Sequence, residues 1–290
     1  MNPSSTINDG NYRTIRLKTG LMHFDSPKVM GILNVTPDSF FSGSRMNSRP
    51  EIIARIKQIM DEGADIIDIG GYSSRPGAED ISADEEYSRL AAGLEEIRKS
   101  YPEAIVSVDT FRAGVARKCV EEWSADIIND ISGGTLDPEM WDTVAELKVP
   151  YVLMHMRGTP ATMKQLTDYT DVTAEVLSDL AKKTAELHQR GVADVIIDPG
   201  FGFAKDVDQN YQLLADLREF RQLGPVLSGI SRKTMIWKPL GITPDEAGNG
   251  TTVLNTISLL NGADILRVHD VRQAVECVRL TSLLNTANNF

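Results

Sequence analysis

The chain has 290 residues, of which 41% are hydrophobic and 24% charged, a composition typical of a globular protein with a large core. Its net charge of −11 disfavours an extended nucleic-acid interface, which needs a basic surface, although a few Arg and Lys can still bind a small anion in one cleft. Cys119 and Cys277 form no CxxC motif, no apolar run has the length of a membrane span, and the N-terminus is polar. We therefore expect a cytoplasmic protein with reduced thiols and no secretory signal.

The N-terminal segment is predicted to precede the main fold. Residues 1–10 are polar, and Tyr12–Phe24 alternates around Lys18-Thr19-Gly20, which indicates a short hairpin. An apolar strand follows at Val29–Leu33 and breaks into a polar loop that starts at Asn34. The apolar spacing within residues 51–62 then predicts an amphipathic helix.

A four-residue phrase recurs along the chain. Ala-Asp-Ile-Ile or a close variant stands at 64–67, 125–128, 193–196 and 263–266, each time after a helical pattern and at the start of an apolar strand. Four other apolar strands are predicted, at 29–33, 105–108, 151–154 and 226–230. Eight strands alternating with helices predict an α/β fold, a single (β/α)8 TIM barrel over residues 28–290, behind a leader and hairpin at 1–27. An open doubly wound sheet is the alternative, which the count of eight disfavours.

Each predicted barrel strand ends in a polar residue: Asn34, Asp68, Asp109, Asn129, His155, Asp198, Ser231 and Arg267. The C-terminal ends of parallel barrel strands meet on one face, where such enzymes have their active sites. Eight polar groups on one rim are hard to explain by folding alone, because buried polar groups cost free energy unless they are paired. The aspartates of the repeated phrase lie instead at the strand starts, where we expect them to support stability.

The sharpest local motif runs from Asp198 to Lys205, with the sequence DPGFGFAK. Its glycines allow the backbone to approach a ligand, and Phe203 can form an apolar wall. A carboxylate here can accept two parallel hydrogen bonds from an amidine-like edge, such as that of a 2-amino-pyrimidinone. The alternative is a tight turn with an aspartate cap.

Three further rim residues have both a functional and a structural interpretation. Asp109 can bind a ligand or cap the next helix. Asn129 offers a donor and an acceptor, which suits the edge of a heterocycle. Lys233 needs an acceptor or an anionic partner if it points inward, and otherwise belongs to a solvated basic turn.

The other rim residues predict an anion site. Arg267 and His269 lie on the same side of a strand, and Arg75 follows the second strand among hydroxyl groups and glycines. Together with Asn34 these groups are suited to a diphosphate and Mg²⁺. One protein ligand is enough for this ion, because Mg²⁺ commonly keeps several waters.

The sequence resembles the dihydropteroate synthase family over most of the barrel. The matching stretches are GILNVTPDSF (31–40), DIGGYSSRPGA (68–78), SVDT (107–110), INDISGG (128–134), LMHMRGTP (153–160), IIDPGFGFAK (196–205), SGISRK (228–233) and RVHDV (267–271). The resemblance implies a TIM barrel, usually a homodimer, that joins 6-hydroxymethyl-7,8-dihydropterin diphosphate to p-aminobenzoate with the help of Mg²⁺. It also implies a place in folate biosynthesis and inhibition by sulfonamides.

The resemblance implies a role for each matching position. The pterin ring would contact Asp109, Asn129, Met154, Asp198, Phe203 and Lys233, of which Asp109 and Lys233 would be catalytic. The diphosphate would contact Asn34, Ser74, Arg75, Arg267 and His269, and Asn34 would also bind Mg²⁺. p-Aminobenzoate would lie beside Phe40, Pro76 and Ser231.

Two other functions are compatible with a pterin-binding barrel. One is a methyltransferase that acts on methyltetrahydrofolate, which would not need the Arg and His clamp together with both loops. The other is a catalytically silent pterin-binding protein. The presence of Asp109, Lys233, Arg267 and His269 argues against the second.

Overall fold

The computed structural model describes residues 13–36, 48–73 and 80–287. Four residues that the sequence assigns to ligand binding lie outside this part of the chain: Phe40, Ser74, Arg75 and Pro76.

The described chain begins with an antiparallel hairpin and continues as alternating strands and helices. The hairpin consists of β1 (Thr14–Leu17) and β2 (Gly20–His23). The barrel strands are β3 (Lys28–Asn34), β4 (Ile66–Gly70), β5 (Ile105–Asp109), β6 (Ile127–Asp130), β7 (Tyr151–Met154), β8 (Val195–Asp198), β9 (Leu227–Ser228) and β10 (Ile265–Val268). The helices are α1 (Ser48–Asp61), α2 (Ala83–Ser100), α3 (Ala113–Trp123), α4 (Met140–Leu147), α5 (Val172–Gln189), α6 (Val207–Ala215), α7 (Thr234–Leu240), α8 (Gly248–Leu260) and α9 (Val271–Ala287). Among these helices none has the length and apolarity needed to cross a bilayer.

The eight strands form one parallel sheet in the order β8-β7-β6-β5-β4-β3-β10-β9. A single parallel bridge between Ile197 and Val226 joins the two outer strands, so the sheet closes into a barrel. The predicted TIM barrel and the predicted hairpin are therefore confirmed. The open doubly wound sheet is excluded, since an open sheet leaves its outer strands unpaired.

The seventh barrel strand is shorter than the sequence predicts. The apolar run Val226–Ile230 predicts five strand residues, but only Leu227 and Ser228 form β9. The carbonyl of Ile230 instead accepts a hydrogen bond from the backbone N–H of Lys233 (3.1 Å), so the chain already turns toward α7 there. This early turn places Lys233 at the mouth of the barrel.

The apolar side chains of the strands belong to two separate core layers. Residues that face outward pack with the helices into the larger cluster. Inward-facing residues, including Met30, Ile127 and Ile196, pack against Ile15 and Leu17 of the hairpin. The hairpin therefore covers the N-terminal end of the barrel, and the C-terminal end holds the polar residues.

The aspartates of the repeated phrase are bonded to backbone at the covered end. Three of them accept a hydrogen bond from the N–H at the start of a neighbouring barrel strand: Asp65 from Val29 (2.8 Å), Asp126 from Val106 (2.9 Å) and Asp264 from Val226 (2.9 Å). The fourth accepts one from the hairpin, Asp194 from Arg16 (3.1 Å). The predicted stabilising position of these carboxylates is thus observed in the structure.

Candidate active site

A buried cluster of charges occupies the C-terminal end of the barrel. Arg267 on β10 donates through Nε to Asp68 Oδ2 and through Nη2 to Asp109 Oδ2, each at 2.6 Å. Asp68 also accepts hydrogen bonds from Ser107 Oγ (2.6 Å) and from Asn129 Nδ2 (3.3 and 3.2 Å). The ends of β4, β5, β6 and β10 are therefore connected by one network of hydrogen bonds.

Arg267 faces this network through two of its three guanidinium nitrogens. The sequence predicts it as part of an anion clamp, and the structure shows two of its nitrogens held by carboxylates. Within the described residues its third nitrogen, Nη1, donates no hydrogen bond to a protein group. A diphosphate would thus meet one nitrogen directly and would compete with Asp109 for a second.

The charge of Asp109 depends on its neighbours. Burial raises the pKa of this carboxyl group to about 7, Arg267 acts in the opposite direction, and the negative charge of Asp68 adds to the increase. A carboxyl group with such a pKa changes its charge near neutral pH, which is a property of functional carboxyl groups.

Asp198 and Lys233 face each other across the barrel mouth. Asp198 is 5% exposed and accepts a hydrogen bond from the backbone N–H of Gly200 (2.7 Å). Lys233 donates to the carbonyl of Phe201. Burial lowers the pKa of Lys233 to about 8, while the Asp198 carboxylate opposes this decrease. Lys233 therefore points inward, and the solvated basic turn considered from the sequence is excluded.

The loop after β8 adopts a conformation that few residues accept. Gly200, Gly202 and Ala204 have positive φ angles of 73°, 78° and 51°. At Gly200 a Cβ atom would lie 2.0 Å from the carbonyl oxygen of His155, so the close approach of the two segments requires glycine there. The glycines thus shape the loop.

Lys205 stabilises this loop from inside. Its Nζ lies 3.0 Å from each of three acceptors: the carbonyl oxygens of Gly200 and Phe203, and Nδ1 of His155. The strand-end residue His155 is therefore a partner of Lys205. Sequence reasoning included Lys205 in the motif but gave it no role, although a lysine that ends a Gly-rich loop directly after a buried strand was the available signal.

An apolar wall borders the charged cluster. Met154 is 2% exposed and packs with Ile131, Met156 and Met163, and Phe203 covers part of the same cluster. The ring centre of Phe203 lies 4.7 Å from Nζ of Lys233. Met154 and Phe203, both predicted beside the pterin, thus lie next to the polar groups that are predicted to bind it.

Ser231 and His269 are direct neighbours. Ser231 Oγ lies 3.0 Å from His269 Nδ1 and accepts a hydrogen bond from the backbone N–H of His269 (3.2 Å). Burial, followed by the charge of Arg267, lowers the pKa of His269 to about 4. His269 is consequently neutral at pH 7 before an anion binds, and it can serve an anion as a hydrogen-bond donor.

Asn34 ends β3 beside a gap in the rim. Gly70 is its partner on β4 and the partner of Asp109 on β5. A Cβ atom at Gly70 would lie 3.5 Å from Asp109 Cβ and 3.8 Å from Asn34 Oδ1, so the missing side chain leaves space between the two. In the described ranges no group of three or more His, Cys, Asp or Glu is suited to a metal. A cation here would therefore rely on few protein oxygens.

Comparison with known proteins agrees with this arrangement. The model of the pterin binding enzyme family matches residues 30–269. A dihydropteroate synthase of Synechocystis is 43% identical, and the match covers 92% of this chain and 94% of that protein. The chain belongs to the dihydropteroate synthase family.

Solved structures of the family superpose well. The Yersinia pestis dihydropteroate synthase with a sulfonamide drug complex has a TM-score of 0.88 at 34% identity, covering 94% of this chain and 99% of that one. The Xanthomonas albilineans enzyme with 7,8-dihydropteroate has a TM-score of 0.82 at 35% identity, covering 91% and 96%. A relative with the same barrel therefore binds 7,8-dihydropteroate.

Proposed function

We propose that this protein joins 6-hydroxymethyl-7,8-dihydropterin diphosphate to p-aminobenzoate and releases 7,8-dihydropteroate and pyrophosphate. The observation that carries this proposal is the cluster of Asp109, Asn129, Asp198 and Lys233 beside an apolar wall. The family membership supports the reaction type, a transfer of an alkyl group to an arylamine. The protein would thus act in folate biosynthesis.

The pterin ring would bind against the wall of Met154 and Phe203. Asp198 would accept two hydrogen bonds from the 2-amino-pyrimidinone edge of the ring, which is a geometry that favours strong pairing. Asn129 and Lys233 would bind the remaining polar edge. Because Asp198 is buried and Lys233 is partly buried, water would compete less for these bonds than it does at the surface.

The chemical step breaks the bond between the exocyclic methylene carbon and the diphosphate oxygen. Positive charge then develops on the pterin methylene, and Asp109 would stabilise it, since the carboxylate faces the same end of the barrel. Arg267, His269, Ser74 and Arg75 would bind the leaving diphosphate. The arylamine nitrogen of p-aminobenzoate, bordered by Phe40, Pro76 and Ser231, forms the new C–N bond and loses a proton.

Arg267 would support this step from between the two charges. It donates through Nη2 to Asp109 Oδ2 at 2.6 Å. A bound diphosphate would share this guanidinium with Asp109, and its nearby positive charge would keep the pKa of Asp109 from rising further, so the carboxylate stays available to the developing cation. Binding of the leaving group and stabilisation of the cation would therefore depend on the same side chain.

Mg²⁺ is the proposed cofactor, and the donor set fits it. Asn34 presents an amide oxygen to the gap above Gly70, and Mg²⁺ favours oxygen ligands. When bound, the ion would neutralise charge on the diphosphate. Asn34→Ala should therefore raise the Mg²⁺ concentration that gives half-maximal activity, while binding of a pterin without diphosphate stays unchanged.

The decisive experiment measures pyrophosphate release with and without p-aminobenzoate. The proposal expects stoichiometric pyrophosphate and dihydropteroate only when both substrates are present, and inhibition by a sulfonamide that competes with p-aminobenzoate. Methyl transfer from methyltetrahydrofolate, or pterin binding without turnover, would instead favour one of the two other functions.

A cytoplasmic homodimer is the proposed state of the protein. Exposed apolar side chains gather on the adjacent helices α8 and α9, where Val253, Leu280 and Leu283 are 50%, 65% and 67% exposed. Such a patch supports an interface with a second copy. Sedimentation of the wild type as a dimer and of Leu283→Glu as a monomer is expected. Cys119 and Cys277 are free and buried, which is compatible with a reducing compartment.

A further inference from the structure

Asp68 is a fully buried carboxylate to which the proposed reaction gives no role. It lies on β4, is 0% exposed and accepts hydrogen bonds from three side chains, those of Ser107, Asn129 and Arg267. Two of these neighbours are proposed ligand-binding residues. Asp68 therefore contacts binding-site residues from inside the barrel, and no part of its own side chain is accessible to a ligand.

Two carboxylates share Arg267 unequally. The side chain of Asp68 is 0% exposed, whereas that of Asp109 is 22% exposed. A ligand that enters from the open end of the barrel reaches Asp109 first and can displace it from Arg267. The bond between Asp68 and Nε of Arg267 is out of reach, so it keeps the guanidinium in place while its other bonds change.

Asp68 also decides the orientation of the Asn129 amide. An ionised carboxylate only accepts hydrogen bonds, so the atom of Asn129 that contacts Asp68 must be the NH₂ group. Nδ2 contacts both carboxylate oxygens, at 3.3 and 3.2 Å. The amide oxygen of Asn129 is consequently the atom left for a donor on the ligand.

We propose that Asp68 is a positioning residue that holds Arg267 beside Asp109 and leaves the amide oxygen of Asn129 for the pterin. This inference rests on the roles proposed above for Asp109, Asn129 and Arg267. It adds a residue that touches neither substrate and acts through two residues that do.

Asp68 also acts on the titration of Asp109, because the two carboxyl groups face each other across Arg267. The charged groups that act on Asp109 come from several elements: Asp68, Glu86, Asp130, Lys233 and Arg267. The negative charge of Asp68 raises the pKa of Asp109. Without that charge, Arg267 would pair with Asp109 alone, so the pKa of Asp109 should fall.

The central test is Asp68→Asn, which keeps the size of the side chain and removes its charge. We expect the KM for the pterin diphosphate to rise at least about tenfold, because the one amide oxygen of asparagine cannot replace both carboxylate oxygens and the charged partner of Arg267 is lost. The KM for p-aminobenzoate should stay within about twofold. The acidic limb of kcat/KM should move down by about one pH unit.

Asp126→Asn is the matched control. Asp126 is a buried aspartate at the N-terminal end of the barrel, just before β6. It accepts a hydrogen bond from the backbone N–H of Val106 on β5. It should lower thermal stability without changing either KM or the pH profile. If a folded Asp68→Asn protein has the same two KM values and the same pH profile as the wild type, or shows only what Asp126→Asn shows, the proposal is overturned.

A second pair of variants keeps the proposal testable if Asp68→Asn does not fold. Arg267→Met is compared with the double variant Asp68→Leu, Arg267→Met, which contains no unpaired buried charge at this site. The double variant should have a pterin KM at least about fivefold higher, because Asn129 loses its acceptor. Equal KM values in the two proteins would overturn the proposal.

Asp109→Asn, measured in parallel, separates this inference from the proposed function. If Asp109→Asn turns over like the wild type, the proposed role of Asp109 fails and this inference fails with it. If Asp109→Asn is impaired while Asp68→Asn behaves like the wild type, only the inference about Asp68 fails.

Discussion

The two ends of this barrel use the same kind of residue in opposite ways. At the N-terminal end, Asp126 and Asp264 accept hydrogen bonds from backbone N–H groups at the starts of neighbouring strands, and each also lies near an arginine, Arg98 or Arg13. At the C-terminal end, Asp109 accepts a hydrogen bond from the side chain of Arg267, and Asp198 lies near the charge of Lys233 at the open mouth. The burial of a carboxylate does not distinguish the two ends, since Asp126 and Asp198 are both 5% exposed.

The difference lies in what the partners can do. A backbone N–H in a strand cannot leave its carboxylate unless the sheet opens, so the bonds at the covered end are permanent. Arg267 and Lys233 have flexible side chains that can exchange one acceptor for another. The same burial therefore gives stability at one end and a binding site at the other.

The largest expected contrast is between Asp198→Ala and Asp126→Ala. Asp198→Ala should weaken binding of the pterin diphosphate by about 100-fold or more, because two hydrogen bonds to a charged group are each worth about 1.5–3 kcal/mol. Calorimetric titration without p-aminobenzoate measures this. Asp126→Ala should instead lower the free energy of unfolding and keep the affinity. Normal pterin binding by Asp198→Ala would refute its role.

Arg267→Ala is expected to have the next largest effect. Turnover should fall by about 50-fold, because the leaving diphosphate loses a hydrogen-bonded cation. Stability should also fall by about 3 kcal/mol, since Asp68 would remain as a buried charge with one partner fewer. Steady-state kinetics and urea unfolding measure the two effects.

The control for Arg267 lies at the opposite end of the barrel. Arg98 donates to the carbonyls of Trp123 and Ser124 and lies 3.6 Å from Asp126. Arg98→Ala should reduce stability and leave kcat and both KM values unchanged. If Arg267→Ala has unchanged kinetics, Arg267 does not belong to the site.

The sequence predicted the barrel because its pattern is repeated. Each Ala-Asp phrase opens a strand, and the polar residue at the end of each strand indicates the face that carries the site. The sequence could not predict the pairing among those polar ends. The bonds of Arg267 to Asp68 and Asp109 join residues 199 and 158 positions apart, and only the closed barrel brings them together.

Two other features could not be predicted from the sequence, for physical reasons. The apolar run Val226–Ile230 predicts a full strand, but the turn at Ile230 is decided by the hydrogen bond from Lys233. Lys205 was given no role because a lysine is usually exposed, and only the folded loop surrounds it with three acceptors.

Lys205→Met should have an intermediate effect, and only on the KM for the pterin diphosphate. The variant removes the ammonium group that holds the carbonyls of Gly200 and Phe203, so Asp198 and Phe203 lose their fixed positions. We expect the pterin KM to rise by about tenfold and the KM for p-aminobenzoate to change by less than about twofold. Lys182→Met, on the exposed face of α5, is the control. Equal increases in both KM values would mean that Lys205 supports only the general fold.

The smallest expected effect is a pH optimum of kcat/KM for the pterin diphosphate. Asp109, with a pKa near 7, must be ionised to stabilise the developing cation, so activity should fall as the pH drops below that value. Lys233, with a pKa near 8, must stay protonated, so activity should also fall above that pH. Each limb should cost about tenfold one pH unit beyond its pKa.

Lys233→Arg tests the origin of the alkaline limb, because arginine stays charged at every pH of the measurement. If Lys233 produces that limb, the variant should keep its activity to a higher pH than the wild type, even where its maximal rate is lower. An alkaline limb that stays at the same pH would assign the titration to the substrate. Asp109 would then still account for the acidic limb, but Lys233 would not account for the alkaline one.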